Sequence, residues 1–338
     1  MVNLQELLDS MDLFRKITGL RMEDIYNTLL KKGWTLGTPQ IMVGMHLVIG
    51  LFHPKQVRLL MDFWRTSRPD MVVSLVPNFD RALGESLRRT LPEVPLVTIL
   101  TDIADYPPHF WMERQDQHFI CGSDKAVEQA LGMGHPRSKV HRVSGMILNP
   151  RFYEMAPLTA EDRAAARAKL GFGPDEPVGL VLFGGEGSAA IAGIAGRLQD
   201  RPLLVMCGRN EKLRAQIQAM PRRAATFVEG FTKEVPRYMQ LADYFIGKPG
   251  PGSLSEAMAM HLPCIVERNA WTLPQERYNA QWLREQGAGI VLPDFRGIAN
   301  AVDAMLEPAA YAGFRAATER MHNRAVFEIP EILERILG

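Results

Sequence analysis

The stretch Tyr244–Val266, YFIGKPGPGSLSEAMAMHLPCIV, decides how the chain is read. Tyr244 to Ile246 is a short apolar, β-prone run, Pro263 to Val266 is another, and Ser253 to His261 between them has helical spacing. Strand, Gly/Pro turn, helix and strand form the unit from which parallel sheets are built. Working outward, the same alternation fills the second half. Strands are expected at Gly179–Phe183, Leu203–Met206 and Thr226–Val228, and helices from Ser188, over Glu211–Met220, Glu234–Gln240 and Glu276–Gln286. The first half alternates as well, with runs at Met71–Val76, Leu96–Leu100, His118–Cys121 and Val140–Val143 around helical segments Arg81–Thr90 and Asp124–Met133. The fold class is therefore α/β, with two Rossmann-like doubly wound domains. The polar connector after Met146 places the boundary near Pro150, giving residues 1–150, 151–310 and a C-terminal helical segment, 311–338, that could return to the first domain.

Composition narrows the function classes. The chain has 338 residues, 46% hydrophobic and 23% charged, as expected of a folded globular protein. Its net charge of +1 supplies no field to grip nucleic acid. Cys121, Cys207 and Cys264 lie far apart without ligand spacing, so no metal site or disulfide framework is expected, and a cytoplasmic setting follows. The N-terminus carries acids where an export signal carries bases. Val2 to Arg68 reads as helical, and its apolar run Ile41–Phe52, closed by His53-Pro54, is too short to span a bilayer and reads as a buried or interfacial helix.

Four segments carry chemistry. In Gly247–Glu256, Gly250 and Gly252 let backbone amides approach an anion, Ser253 opens a helix whose N-terminal N–H groups suit a diphosphate, and Glu256 could accept from both ribose hydroxyls. The spacing reads equally well as a Gly/Pro turn with Ser253 and Glu256 forming a capping box. Gly184-Gly185 lie in a second glycine-rich turn at a strand's carboxyl end, and a plain tight turn fits them as well. Gln275, Glu276 and Asn279 open another helix and could read sugar hydroxyls, or serve as ordinary first-turn residues. In the first half, Asp102 and His109 lie on one loop after a strand and could supply a general base, or be a turn cap and a surface histidine.

Taken together, these residues resemble the GT-B glycosyltransferases that include monogalactosyldiacylglycerol synthases and the peptidoglycan N-acetylglucosaminyltransferase. GKPGPGSLSEAMAMHLP (Gly247–Pro263) followed by Gln275, Glu276 and Asn279 is similar to that family's donor signature. Gly184-Gly185, the Cys207–Asn210 turn with Arg209, Gly230-Phe231, and Leu100–Asp102 with His109 and Trp111 extend the likeness along most of the chain. The resemblance implies a UDP-sugar held by residues 151–310, with Phe231 facing the uracil, Glu256 the ribose and Gln275-Glu276 the sugar. It implies inverting, metal-independent transfer of a hexose to a lipid acceptor of diacylglycerol type, with residues 1–150 on the acceptor side and no cofactor. Family members begin with a strand and a Gly-rich, His-containing loop, and no such turn precedes Met71, so a truncated first domain is expected. Two other readings stay open: a sugar-nucleotide epimerase of the same fold, and a UDP-sugar-binding remnant without activity. Residues 1–68 hold nine Lys/Arg against six Asp/Glu, which fits peripheral docking on the inner face of a membrane.

Overall fold

The computed structural model describes the backbone of residues 38–338 and the side chains from residue 52 onward. The expected truncation of the first domain, and the helical reading of residues 2–37, lie outside the described residues. The described residues form two compact units: those up to residue 100, with 104–142 and 329–338, in the first, and 101–103 and 143–328 in the second.

In the first unit a long helix, α1 (Thr38–Ser67), precedes β1 (Val72–Ser74), α2 (Asp80–Thr90), β2 (Leu96–Ile99), β3 (His118–Cys121), α3 (Asp124–Gly132) and β4 (Val140–Arg142). The four strands pair in parallel in the order β1-β2-β3-β4. As the helical reading to about Arg68 expects, α1 runs through Pro54, where the apolar run Ile41–Phe52 closes, to Ser67. Beyond Pro54, Val57, Leu60 and Trp64 recur three and four apart and bury against Leu83, Leu87 and Leu96, so an apolar stripe runs along the helix after the proline. Trp64 Nε1 donates to Ser86 Oγ at 2.8 Å within this core. Asp80 is also buried, accepting from Thr98 Oγ1 at 3.1 Å, and burial pushes its carboxyl up to about 7.

The second unit contains α4 (Ala160–Lys169), β5 (Gly179–Leu182), α5 (Ala190–Arg197), β6 (Leu203–Met206), α6 (Glu211–Gln218), β7 (Thr226–Glu229) and α7 (Val235–Leu241). It continues with β8 (Tyr244–Gly247), α8 (Pro251–Ala259), β9 (Cys264–Glu267), α9 (Arg277–Glu285), β10 (Gly289–Leu292), α10 (Ile298–Leu306) and α11 (Pro308–Glu319). All six strands are parallel, in the order β10-β9-β8-β5-β6-β7. Leu180, Leu182, Phe245 and Val266 enter one core, and Val181, Tyr244, Ile246 and Ile265 enter the other. A sheet covered on both faces needs apolar residues at every position, which is why its strands read as unbroken apolar runs.

Three expectations change. The units divide at Arg142/Val143, ahead of Pro150. The segment after β4 is stitched to residues late in the second unit: Ser144 N donates to Glu328, Arg324 N to Ser144 Oγ, and Asn323 Nδ2 to the Met146 carbonyl, at 2.6–2.7 Å. The continuous helical segment expected from Tyr311 to Leu337 is two helices, α11 and α12 (Ala325–Leu337). β10 and α10 had no counterpart in the sequence reading.

A buried charge cluster fixes the start of β8. Arg167, 2% exposed, bonds Asp243 at 2.5 Å and the carbonyls of Leu241, Pro174 and Glu176; Arg163 bonds the other Asp243 oxygen at 2.8 Å. Asp243 also accepts from the Val178 amide at 2.7 Å. One carboxylate thereby joins α4, the entry to β5 and the entry to β8.

Candidate active site

Strand order reverses where β5 meets β8, and in doubly wound sheets ligands bind at the carboxyl edge of that reversal. The register pairs Leu182 with Gly247, so the chain leaves both strands at the same level. Both glycine-rich turns therefore open onto one place, although Gly184 and Gly250 are far apart in sequence. A cavity of about 370 Å³ lies there, lined by Gly184, Gly185, Phe231, Gly250, Gly252, Ser253, Glu256 and Glu276 among others. Its size and its apolar walls with a few polar groups suit a small ligand.

The β8–α8 turn departs from the capping-box alternative. Gly250 is the N-cap, Pro251 is the first helical residue, and no side chain caps the helix. Proline loses nothing at this position, because its missing N–H would have been unpaired there. The first amide bonded within the helix is Leu254, to the Gly250 carbonyl at 3.1 Å, so the amides of Gly252 and Ser253 precede the hydrogen-bonded turn. Glu256 consequently lies in the second turn, not the first, and its side chain faces the cavity. Burial pushes its carboxyl up to about 7.

Opposite, Glu276 ends a short 3-10 turn, Pro274–Glu276, and pairs with Lys248 Nζ at 2.6 Å; its side chain is 8% exposed. A Cβ placed on Gly250 would come within 3.3–3.6 Å of Lys248 Cε, Glu276 Oε1 and Ser253 Oγ, so these groups converge on the bare glycine. Lys248 was absent from the sequence-predicted set. Its position between a strand end and Pro249 could have flagged it, but only the fold brings Glu276 to it.

The remaining candidates divide. Phe231 is half exposed at the cavity rim, and the Arg209 guanidinium stacks 4.0 Å from its ring centroid while pairing with Glu186 at 3.1 Å. Arg209 does not line the cavity. Neither does Asn279, which is fully buried and donates from Nδ2 to the Pro249 carbonyl at 2.8 Å, bracing the glycine loop. Gln275 also lies outside the lining, one residue before Glu276. Asp102 is buried, 8% exposed, within residues 101–103 of the second unit.

His109 belongs to the first unit, exposed on the Leu100–Gln117 loop. Asp105, which sequence reading passed over, organises that loop. Its carboxylate accepts from the amides of Trp111 at 2.6 Å and His109 at 3.1 Å, and burial raises its pKa. Among the described residues no group of three His, Cys, Asp or Glu is placed to hold a metal, and no helix is long and apolar enough to cross a membrane.

The loop after β6 is locked to the loop after β5. Arg209 N donates to the Gly185 carbonyl at 2.8 Å, and Gly208 has φ of +59°, where a Cβ would lie 2.2 Å from that same carbonyl oxygen. Gly208→Ala is therefore expected to destabilise the second unit by about 2 kcal/mol or more and to deform the cavity wall. Thermal unfolding and ligand titration of the variant check this, and unchanged values in both would refute it.

Residues 181–336 match the glycosyltransferase family 28 C-terminal domain. A probable monogalactosyldiacylglycerol synthase 2, chloroplastic, of Oryza sativa subsp. indica is 30% identical over 250 residues, covering 69% of this chain and 51% of that protein. Monogalactosyldiacylglycerol synthase 1, chloroplastic, of Arabidopsis thaliana is 27% identical over 256 residues, covering 72% and 46%. The chain thus spans about half the length of the curated relatives it matches. Among solved structures, MurG of Acinetobacter baumannii superposes with a TM-score of 0.58 at 14% identity, over 82% of this chain and 77% of that one. Anabaena HepE in complex with UDP-glucose gives 0.54 at 18% identity, over 82% of each. At such identities the structural matches speak to the fold alone.

Proposed function

Since the chain belongs to the GT-B glycosyltransferases and carries their family 28 C-terminal domain, we propose that it transfers a hexose from a UDP-sugar to a lipid acceptor hydroxyl of diacylglycerol type. The observation that carries this reading is the convergence of Gly184-Gly185, the α8 N-terminus, Glu256 and Glu276 on one cavity at the strand-order reversal. The diphosphate would meet the Gly252 and Ser253 amides, Glu256 would accept from the ribose hydroxyls, and Phe231 would flank the base. The donor class is supported by the UDP-glucose held by Anabaena HepE, and the acceptor class by the names of the synthase relatives. The same relatives favour transfer over the epimerase and inactive-remnant readings.

In this reaction the acceptor oxygen forms a bond to the anomeric carbon as the bond from that carbon to the diphosphate oxygen breaks, with inversion. The acceptor proton passes to a base, for which Asp102 and His109 are our assignments, and UDP leaves with the bonding pair. Backbone amides at the α8 N-terminus would stabilise the charge on the leaving oxygens without reorganisation, and would require no metal ion for it. The acceptor would be met at a membrane surface by peripheral attachment.

Calorimetric titration with UDP is the first test. Wild type is expected to bind and Glu256→Ala to lose binding; a wild type indifferent to millimolar UDP overturns the proposal. Incubation with labelled UDP-sugars and lipid extracts then reads transfer directly.

A further inference from the structure

Lys248 is the only basic side chain among the described residues that line the cavity, facing the two carboxyls of Glu256 and Glu276. A diphosphate entering there has one side-chain cation to meet, and that cation is already engaged. Its ammonium lies 2.6 Å from Glu276 Oε1, and Glu276 is buried to 8% exposure, whereas Lys248 is 37% exposed on a flexible stem. The two partners are therefore unequal. The lysine can swing toward a ligand at little cost, but the carboxylate it leaves would be a buried charge without a counter-charge. Glu276 releases Lys248 readily only when another donor arrives, and a sugar hydroxyl is such a donor.

We propose that Lys248 and Glu276 form an exchangeable pair that senses the whole sugar nucleotide. When a UDP-sugar binds, Lys248 turns to the diphosphate while Glu276 accepts from the sugar. When the sugar has been transferred, Glu276 has no donor, reclaims Lys248 and weakens the hold on UDP. The pair thereby favours substrate over product in the same cavity and promotes product release. This rests on the reading of the cavity as a UDP-sugar site.

Titrations with UDP and with uridine, which has no phosphate, separate the possibilities. Lys248→Met is expected to weaken UDP binding by about tenfold to a hundredfold and leave uridine unchanged. Glu276→Gln frees Lys248 and is expected to tighten UDP binding by about tenfold, again with uridine unchanged. The double variant should match Lys248→Met, because the tightening acts through the lysine. A Glu276→Gln protein that binds UDP no better than wild type overturns the proposal, as does loss of uridine in step with UDP in either variant, which marks a purely structural pair. A wild type that binds neither UDP nor uridine at millimolar concentration instead overturns the reading of the cavity itself.

Discussion

Asp243→Ala is expected to destabilise the second unit by about 3–5 kcal/mol, lowering its Tm by on the order of 10 °C. The carboxylate faces Arg167, whose side chain is 2% exposed, and Arg163, and also accepts from the Val178 amide. Removing it leaves a buried guanidinium without its counter-charge and a backbone donor without its partner. The remaining carbonyl contacts of Arg167 serve Nε and Nη1 and leave Nη2 and the charge without a partner. Calorimetric unfolding checks this, with Asp200→Ala as control. Asp200 pairs with Arg223 at the exposed surface, where solvent screens the attraction, so its loss should leave the Tm in place. A Tm drop of less than about 2 °C in Asp243→Ala would refute the argument.

Glu256→Gln is expected to make the protein more stable and a poorer binder, in a pH-dependent way. Burial raises this carboxyl from an ordinary 4.5 to about 7 in the folded chain. Between those values the unfolded state has lost the proton and the folded state keeps it, so the folded state binds more protons and stability falls as pH rises. Above about pH 7 the cost is complete, on the order of 3 kcal/mol. The Gln variant should therefore gain up to about 3 kcal/mol at pH 8 and only a small fraction of that at pH 5. In the proposed function ribose hydroxyls donate to the ionised carboxylate, so wild-type affinity for uridine should rise by up to about tenfold from pH 6 to pH 8. The variant should bind about tenfold more weakly at pH 8 and show no such rise. Equal pH profiles for uridine in the two proteins would refute the assignment. On the proposed function, a destabilising carboxyl is retained because the ligand needs its hydrogen-bond acceptors.

Much of the second unit was legible in the sequence. The runs around Leu180, Leu204 and Phe245 stand out because both faces of the sheet are covered, leaving no position for a polar residue. Glycine and proline at 247–252 punctuate the chain for reasons local to the backbone. The start of α8 was misplaced by two residues because Ser253-x-x-Glu256 imitates a capping box. The competing device, Gly250 followed by Pro251, won.

Asn279 shows a different limit. Its residue type suggests a group that reads sugar hydroxyls, yet it spends its donor on the Pro249 carbonyl. A side chain's type constrains what it can bond, and its burial decides what it does bond.

By itself, then, the sequence determined the alternation of strands and helices, the glycine turns at strand ends and the carboxylates beside them. These depend on local propensity and on burial averaged along an element, both of which are written in neighbouring residues. The tertiary structure alone decided that β8 pairs with β5. That one pairing sets Gly184 beside Gly250 and draws Asp243 between Arg163 and Arg167, while the pairing of β8 with β9 brings Lys248 to Glu276. Strand order follows from how whole layers pack and connect, and no short stretch of residues records it.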